Sequence, residues 1–350
     1  MEININIKNI KNPEGKIICL AGPTGCGKTR LGVLLAKKFD GEVISADSMQ
    51  IYKGMAIGSA APTEQETDGV RHYMIGVAEP YECWSAAKYV AAADVIIKDI
   101  LDRNKTPILV GGTGLWMEAA VKGEIFAPGE RNGEIRRELE NRLQSEGIEN
   151  LWAELSKVDP EAAARLHKSD VKRIIRALEV WRETGMTITE HDKISKKRPP
   201  KYQAIWLGLR YREREEQRKA IDRRVDEMIQ AGLLDEVREL VKKAPPGATA
   251  LQAIGYKELI PVLSGEKTLE SGIEEIKIHT RQYAKRQLTW FRRNQDIRWI
   301  EWDKNNNNFL NFPAALRIST EIITGAGVCY EQRAKIRETR PLLEPYGDGT

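Results

Sequence analysis

The sequence predicts an α/β protein: a parallel sheet core with flanking helices and a helical insertion domain. Three observations point there. Short apolar runs alternate with helical patterns through residues 1–122. A glycine-rich loop joins the first of those runs to the first helix. Between residues 123 and 200 the strand signals vanish and helical periodicity takes over.

Taken in order, Lys16–Ala21 (KIICLA) reads as a buried strand and Gly22–Thr29 as a loop. Lys28–Phe39 then reads as a helix with Leu31, Leu34, Leu35 and Phe39 on one side. Val43–Ser45 is a second strand, Trp84–Asp102 an Ala-rich helix, and Pro107–Val110 a third strand running into Gly111-Gly112-Thr113-Gly114. In the insertion, helices are expected over Arg131–Ser145, Pro160–Leu166 and Val171–Thr184. Ile205–Leu209 restores a strand, residues 201–302 return to the core with basic helices, and Trp299–Trp302 closes as an edge strand. Asn305–Asn308 is a polar break, and 303–350 is read as a partly disordered extension.

At about 150 residues per domain, 350 residues suggest two domains. Hydrophobic residues make up 41% and charged residues 30%, enough for a core and too apolar for wholesale disorder. No stretch of about 18 apolar residues is present, so no membrane span is expected. The opening MEININIKNIKNPEGK lacks the apolar run of a secretory signal. Cys19, Cys26, Cys83 and Cys329 show no paired spacing, which fits free thiols in a reducing compartment; a cytoplasmic location is expected. His72, His167, His191 and His279 are scattered and give no zinc pattern. Net charge is +4, but Arg281–Arg298 holds six basic residues against one acid, Asp296. Such a local excess suits a polyanion partner; a solvated helix face is the alternative.

Gly22-Pro23-Thr24-Gly25-Cys26-Gly27-Lys28-Thr29 fits GxxxxGK(S/T), the P-loop pattern, between a predicted strand and a predicted helix. Glycines let backbone N–H groups converge on phosphate oxygens at a helix N-terminus. Lys28 adds a full charge, and the Thr29 hydroxyl can ligate Mg²⁺, the one cofactor expected. A phosphate or diphosphate site follows. An ATPase would end another apolar strand with a Mg²⁺-binding acid, yet Pro107–Val110 runs into glycines, read as further backbone donors. The best acid near a strand end is Asp47, placed beside the cradle, with a turn or capping role as the alternative.

These residues resemble the tRNA dimethylallyltransferase (tRNA isopentenylpyrophosphate transferase) family. The carrying segments are GPTGCGKT (22–29), ISADSMQIYKGM (44–55), ILVGGTGLW (108–116), DVKRIIRALEVW (170–181), RRVDEMIQAGLLDEV (223–237), LQAIGYKEL (251–259) and RQYAKRQLTWFRR (281–293). The resemblance implies a P-loop NTPase-like core. It also implies transfer of a dimethylallyl group from dimethylallyl diphosphate to N6 of adenosine 37 in tRNAs reading codons that begin with U. Asp47 would be the general base, Gly22–Thr29 would hold the diphosphate with Thr24 assisting, and Arg224 would steady the transition state. Contacts to the tRNA anticodon stem-loop would fall at Asp47, Ser48, Met49, Gln50, Thr113, Arg136, Lys172, Arg173, Arg176, Gln252, Gly255, Tyr256, Lys257, Lys285, Arg286, Gln287 and Arg292. One departure stands out. Where the family commonly reads M-D-I-G-T-(A/S)-K-P, this chain has Met55-Ala56-Ile57-Gly58-Ser59-Ala60-Ala61-Pro62, without the acid and the lysine.

The chemistry suits the residues. An adenine amine is a poor nucleophile, and a carboxylate that takes its proton during C–N bond formation typically contributes about 10²–10⁴-fold. Backbone donors, Lys28, Arg224 and Mg²⁺ oppose the charge growing on departing diphosphate. At about 100° per residue, Arg281, Lys285 and Arg292 fall within an arc of about 40°, with Tyr283, Ala284, Leu288, Trp290 and Phe291 opposite as core. Lys172, Arg173 and Arg176 form a second basic arc. A flipped adenine is expected, and a monomer suffices. A P-loop kinase or ATPase, an adenylate isopentenyltransferase and a non-catalytic RNA binder are the rival readings.

Overall fold

The computed structural model describes residues 16–127, 133–302 and 311–325. Six strands form one sheet: β1 (Ile17–Ala21), β2 (Gly41–Ser45), β3 (His72–Tyr73), β4 (Thr106–Gly111), β5 (Ala204–Tyr211) and β6 (Arg298–Trp302). Every neighbouring pair is parallel, in the order β3-β2-β4-β1-β5-β6. The chain first builds to one side of β1 and then, after the insertion, to the other. That reversal beside β1 makes a crevice at the carboxyl ends of the strands, where open α/β sheets take ligands.

The helices among the described residues are α1 (Lys28–Lys38), α2 (Glu64–Thr67), α3 (Ala86–Asp102), α4 (Gly114–Lys122), α5 (Glu134–Glu146), α6 (Ile148–Val158) and α7 (Pro160–Arg165). They continue as α8 (Val171–Thr184), α9 (Ile188–Lys196), α10 (Arg214–Gln230), α11 (Leu233–Lys243), α12 (Ile260–Leu263), α13 (Leu269–Phe291) and α14 (Asn311–Thr324). Strand alternation separates two cores. Ile17, Cys19 and Ala21 face the layer with α3, α4, α10, α11 and α13, whereas Ile18 and Leu20 face α1 and α14. Helices on both faces explain why β1 is apolar along its whole length. The insertion has its own core of Leu139, Leu151, Leu155, Ile174, Ile175 and Leu178.

Most expected elements appear within a few residues of their predicted bounds. Several were not singled out, among them β3, α2, α4, α6, α9 and α14. β3 is only two residues long and too short to carry a pattern. α6 and α9 fill the insertion; α9 opens with a capping box in which Thr187 and Glu190 satisfy each other's backbone amides. Another, α14, lies within the extension 303–350 read as partly disordered: Phe312, Ala315, Leu316 and Ile323 are buried on the sheet's second face. Its apolar face covers α1 and β6, which would otherwise meet water. Arg131 and residues 326–350 lie outside the described residues. Cys19 and Cys26 are buried and form no disulfide. No helix among the described residues is long and apolar enough to cross a membrane.

Candidate active site

The loop after β1 curls as the motif requires. Gly25 and Gly27 adopt φ of 77° and 85°, a left-handed backbone that side chains disfavour. α1 starts at Gly27 with no side-chain cap and no acid in its first turn. Its first amides therefore have no intrahelical acceptor and remain available to an anion. Lys28 Nζ donates to Pro23 O at 2.7 Å, folding the side chain back along the loop.

One cavity joins this loop to the ends of β2 and β4. Thr24, Lys28, Thr29, Asp47, Gln50, Arg224 and Gln287 all line it. Burial holds the Lys28 ammonium and the Arg224 guanidinium below their ordinary pKa ranges; Arg224 lowers Lys28 further, while Cys26 and Asp47 oppose the shift at Lys28 and Glu66 and Asp47 oppose it at Arg224. Among the described residues neither forms an ion pair, so two cations share a pocket without a carboxylate partner. A bound polyanion would supply the missing charge.

Asp47 follows β2 in a tight turn. Met49 N donates to its Oδ1 at 2.9 Å, leaving Oδ2 without a protein donor among the described residues. Ser48 N donates to Thr113 Oγ1 at 3.1 Å, so Thr113 sets the turn on which Asp47 stands. The loop Gly111–Gly114, expected to offer backbone donors to phosphate, lines the cavity with Gly111 and Gly112 and also packs closely. A Cβ on Gly112 would lie 2.0 Å from Gln287 Nε2, and one on Gly114 would lie 2.2 Å from Trp290 Cδ1. Thr113 N donates to Ala46 O at 3.1 Å.

The 55–62 loop, which departs from the common pattern, is held by part-buried polar contacts. Ile57 N and Gly58 N each donate to the Glu236 carboxylate at 2.9 Å, and Tyr256 OH donates to the same group at 2.5 Å. Gln50 Nε2 donates to Ser59 O and Ala60 O at 3.3 and 3.1 Å. Ser59, Ala60 and Pro62 thereby form a wall of the cavity despite the missing acid and lysine.

The residues expected at RNA divide into two groups. Lys172, Arg173, Gln252, Lys257, Lys285, Arg286 and Arg292 are exposed. Others are occupied inside the protein. Arg136 and Arg176 both clasp Glu179, which is 1% exposed, with Nε–Oε1 of 2.8 Å and Nη1–Oε2 of 2.6 Å. Burial pushes the Glu179 carboxyl up, but the two guanidiniums outweigh it and hold it below the usual range. Gly255 and Tyr256 are buried, and Gln287 is only 4% exposed. Arg281, placed on the outward arc, instead pairs with Glu274 and Asp222. These side chains are the local polar solution for burying each element.

Two site residues escaped sequence reasoning. Tyr283, read as core, is pushed up to about 12 by burial and by the negative charge of Asp47, with Thr113 and Gln287 beside its hydroxyl. It sits four residues before Gln287, one turn away on the same helix face, and that spacing was the available signal. His72 lines the cavity from β3, with Nδ1 2.9 Å from Val70 O.

A family model described as IPP transferase matches residues 50–294. The chain belongs to that family. It is 47% identical over 294 residues to the tRNA dimethylallyltransferase of Halothermothrix orenii, covering 84% of this chain and 89% of that protein. The corresponding protein of Oceanobacillus iheyensis is 42% identical over 287 residues, covering 82% and 91%. The crystal structure of the full-length tRNA isopentenylpyrophosphate transferase from Bacillus halodurans is similar at TM-score 0.65 and 37% identity, over 93% of this chain and 100% of that one. A eukaryotic dimethylallyltransferase acting on tRNA is similar at TM-score 0.76 and 29% identity, over 90% and 81%. This IPP transferase is thus an enzyme whose parallel sheet and P-loop match its family's architecture.

Proposed function

We propose that the protein transfers a dimethylallyl group from dimethylallyl diphosphate to N6 of adenosine 37 in tRNAs reading codons that begin with U. One observation carries the reading. Two cations without carboxylate partners and an aspartate with a free oxygen line the same cavity.

Diphosphate lies against the amides at the start of α1, with Lys28 and Arg224 opposing its charge. The target adenine leaves its stack to enter the cavity. Its N6 forms a bond to the allylic C1 while the C1–oxygen bond breaks, and diphosphate keeps that electron pair. The N6 proton goes to Asp47, whose turn is fixed by Thr113. Among the described residues no cluster of three or more His, Cys, Asp or Glu could hold a metal ion. Thr29, which lines the cavity beside Lys28, would hold Mg²⁺ through its hydroxyl, and the ion would supply further charge neutralisation to the leaving group. The exposed cations of α13 and α8 engage the anticodon stem by its phosphates. We place the enzyme in the cytoplasm as a monomer, with 123–200 as a tRNA-contacting domain.

The test mixes purified protein, Mg²⁺, dimethylallyl diphosphate and an anticodon stem-loop carrying adenosines at positions 36–38. A parallel tube replaces the prenyl donor with ATP. Prenylated RNA in the first tube supports the reading. ATP turnover without RNA modification overturns it in favour of a kinase or ATPase.

A further inference from the structure

We propose that Gln287 is a positioning residue of the diphosphate cradle, although its helix carries the RNA-facing cations. Its side chain makes two hydrogen bonds, both to the glycine loops. Oε1 accepts from Thr24 N at 2.8 Å, and Nε2 donates to Gly112 O at 3.0 Å. Both ends of the amide are engaged within the protein and Gln287 is only 4% exposed.

The geometry divides the P-loop into a braced half and an open half. Pro23 O is taken by Lys28 Nζ, and Thr24 N is taken by Gln287 Oε1. Thr24, Gly25, Gly27, Lys28 and Thr29 all line the cavity, and no side chain caps the start of α1 that follows. Gln287 thus pins the loop at Thr24, upstream of the uncapped start of α1. It also ties that loop to Gly112, next to Thr113, which sets the Asp47 turn. Gly112 has to be a glycine for the amide to enter, since a Cβ there would sit 2.0 Å from Nε2. Trp290, one turn further along α13, fixes the helix by donating to Glu118 Oε1 at 3.1 Å. One amide therefore holds the donor's cradle in register with the base's turn, and small displacements there are costly to rate.

The proposal rests on the prenyl-transfer reading for its rate measurement alone; binding of inorganic diphosphate tests it separately. Full-length Gln287→Met keeps the side-chain bulk and removes both hydrogen bonds, with Gln287→Ala as a second variant and Lys285→Ala as a contrast. Calorimetry with inorganic diphosphate and Mg²⁺, RNA filter binding and single-turnover transfer are compared. For Gln287→Met, with an unchanged thermal midpoint, the diphosphate Kd should rise about 3–10-fold and the rate at saturation fall about 10-fold, while the RNA Kd stays within about 3-fold. Lys285→Ala should show the reverse split, weakening RNA and sparing diphosphate. An RNA Kd weakened about 10-fold with an unchanged diphosphate Kd would return Gln287 to the RNA surface. Unchanged values throughout would make the brace idle. If the wild-type protein binds diphosphate but prenylates nothing, the functional reading fails while the diphosphate comparison still decides the role of Gln287.

Discussion

The hydroxyl of Thr113 accepts the backbone amide of Ser48 at 3.1 Å across two strand ends, and that bond fixes the turn presenting Asp47. A residue at one strand's end thereby orients the acid at another's. Thr113→Val should lower the single-turnover rate by about an order of magnitude, and Thr113→Ser should restore most of it. A Thr113→Val enzyme as fast as wild type would show that the turn holds itself.

Among the described residues, Asp47 offers the one carboxylate on the cavity wall, with an oxygen to spare. Asp47→Ala should leave tRNA affinity within a few-fold and cut the single-turnover rate by about two orders of magnitude. Quenched-flow transfer under saturating substrate measures this, and a near-normal rate removes Asp47 from the base role.

Charge on α13 and charge around Glu179 should behave differently. Lys285 is exposed, so Lys285→Ala should flatten the slope of log Kd against log salt by roughly 0.7–0.9. Arg136→Ala should leave that slope intact and destabilise the fold by about 2 kcal/mol, because a buried carboxylate loses one of two partners. Equal slopes for the two variants, in binding titrations from low to high salt, would contradict this division.

Acid should loosen the sheet's β3 edge first. Glu42 on β2 accepts two bonds from Arg103 at 2.7 Å and one from Tyr73 at 2.7 Å. Hydrogen bonds from Arg103, then burial opposing them and further bonds from Tyr73 and Lys105, hold its pKa down at about 2. A depressed carboxylate stabilises the fold above its unfolded pKa, near 4.5, and that stability is lost as pH falls towards about 2. Glu42→Gln should therefore melt below wild type at pH 7, by about 2–3 kcal/mol at most, with the gap closing between about pH 5 and 2. A gap that persists at the acidic end would mean packing, not charge, sets it.

How far the chain could be read in advance depended on local pattern. The strand, glycine loop and helix around Lys28 are contiguous and each obeys a strong backbone rule, so cradle and core were legible. Asp47 was legible because it directly follows a strand. Gln287 was not: the family resemblance placed it among the tRNA contacts of 285–292, whereas helix geometry puts it between Tyr283 and Phe291 on the inward face. Arg136 and Tyr256 were opaque for the same reason. Their partners, Glu179 and Glu236, lie 43 and 20 residues away, and only folding brings these polar side chains together.

The position of α14 bears on how this enzyme can be shortened. A chain cut after β6 would strip Phe312, Leu316 and Ile323 from the outer side of α1 and bare a greasy stripe directly behind the phosphate loop. Trimming at that point, tempting because a run of asparagines follows, would yield material prone to clump, whereas a stop placed beyond Gly325 would spare it.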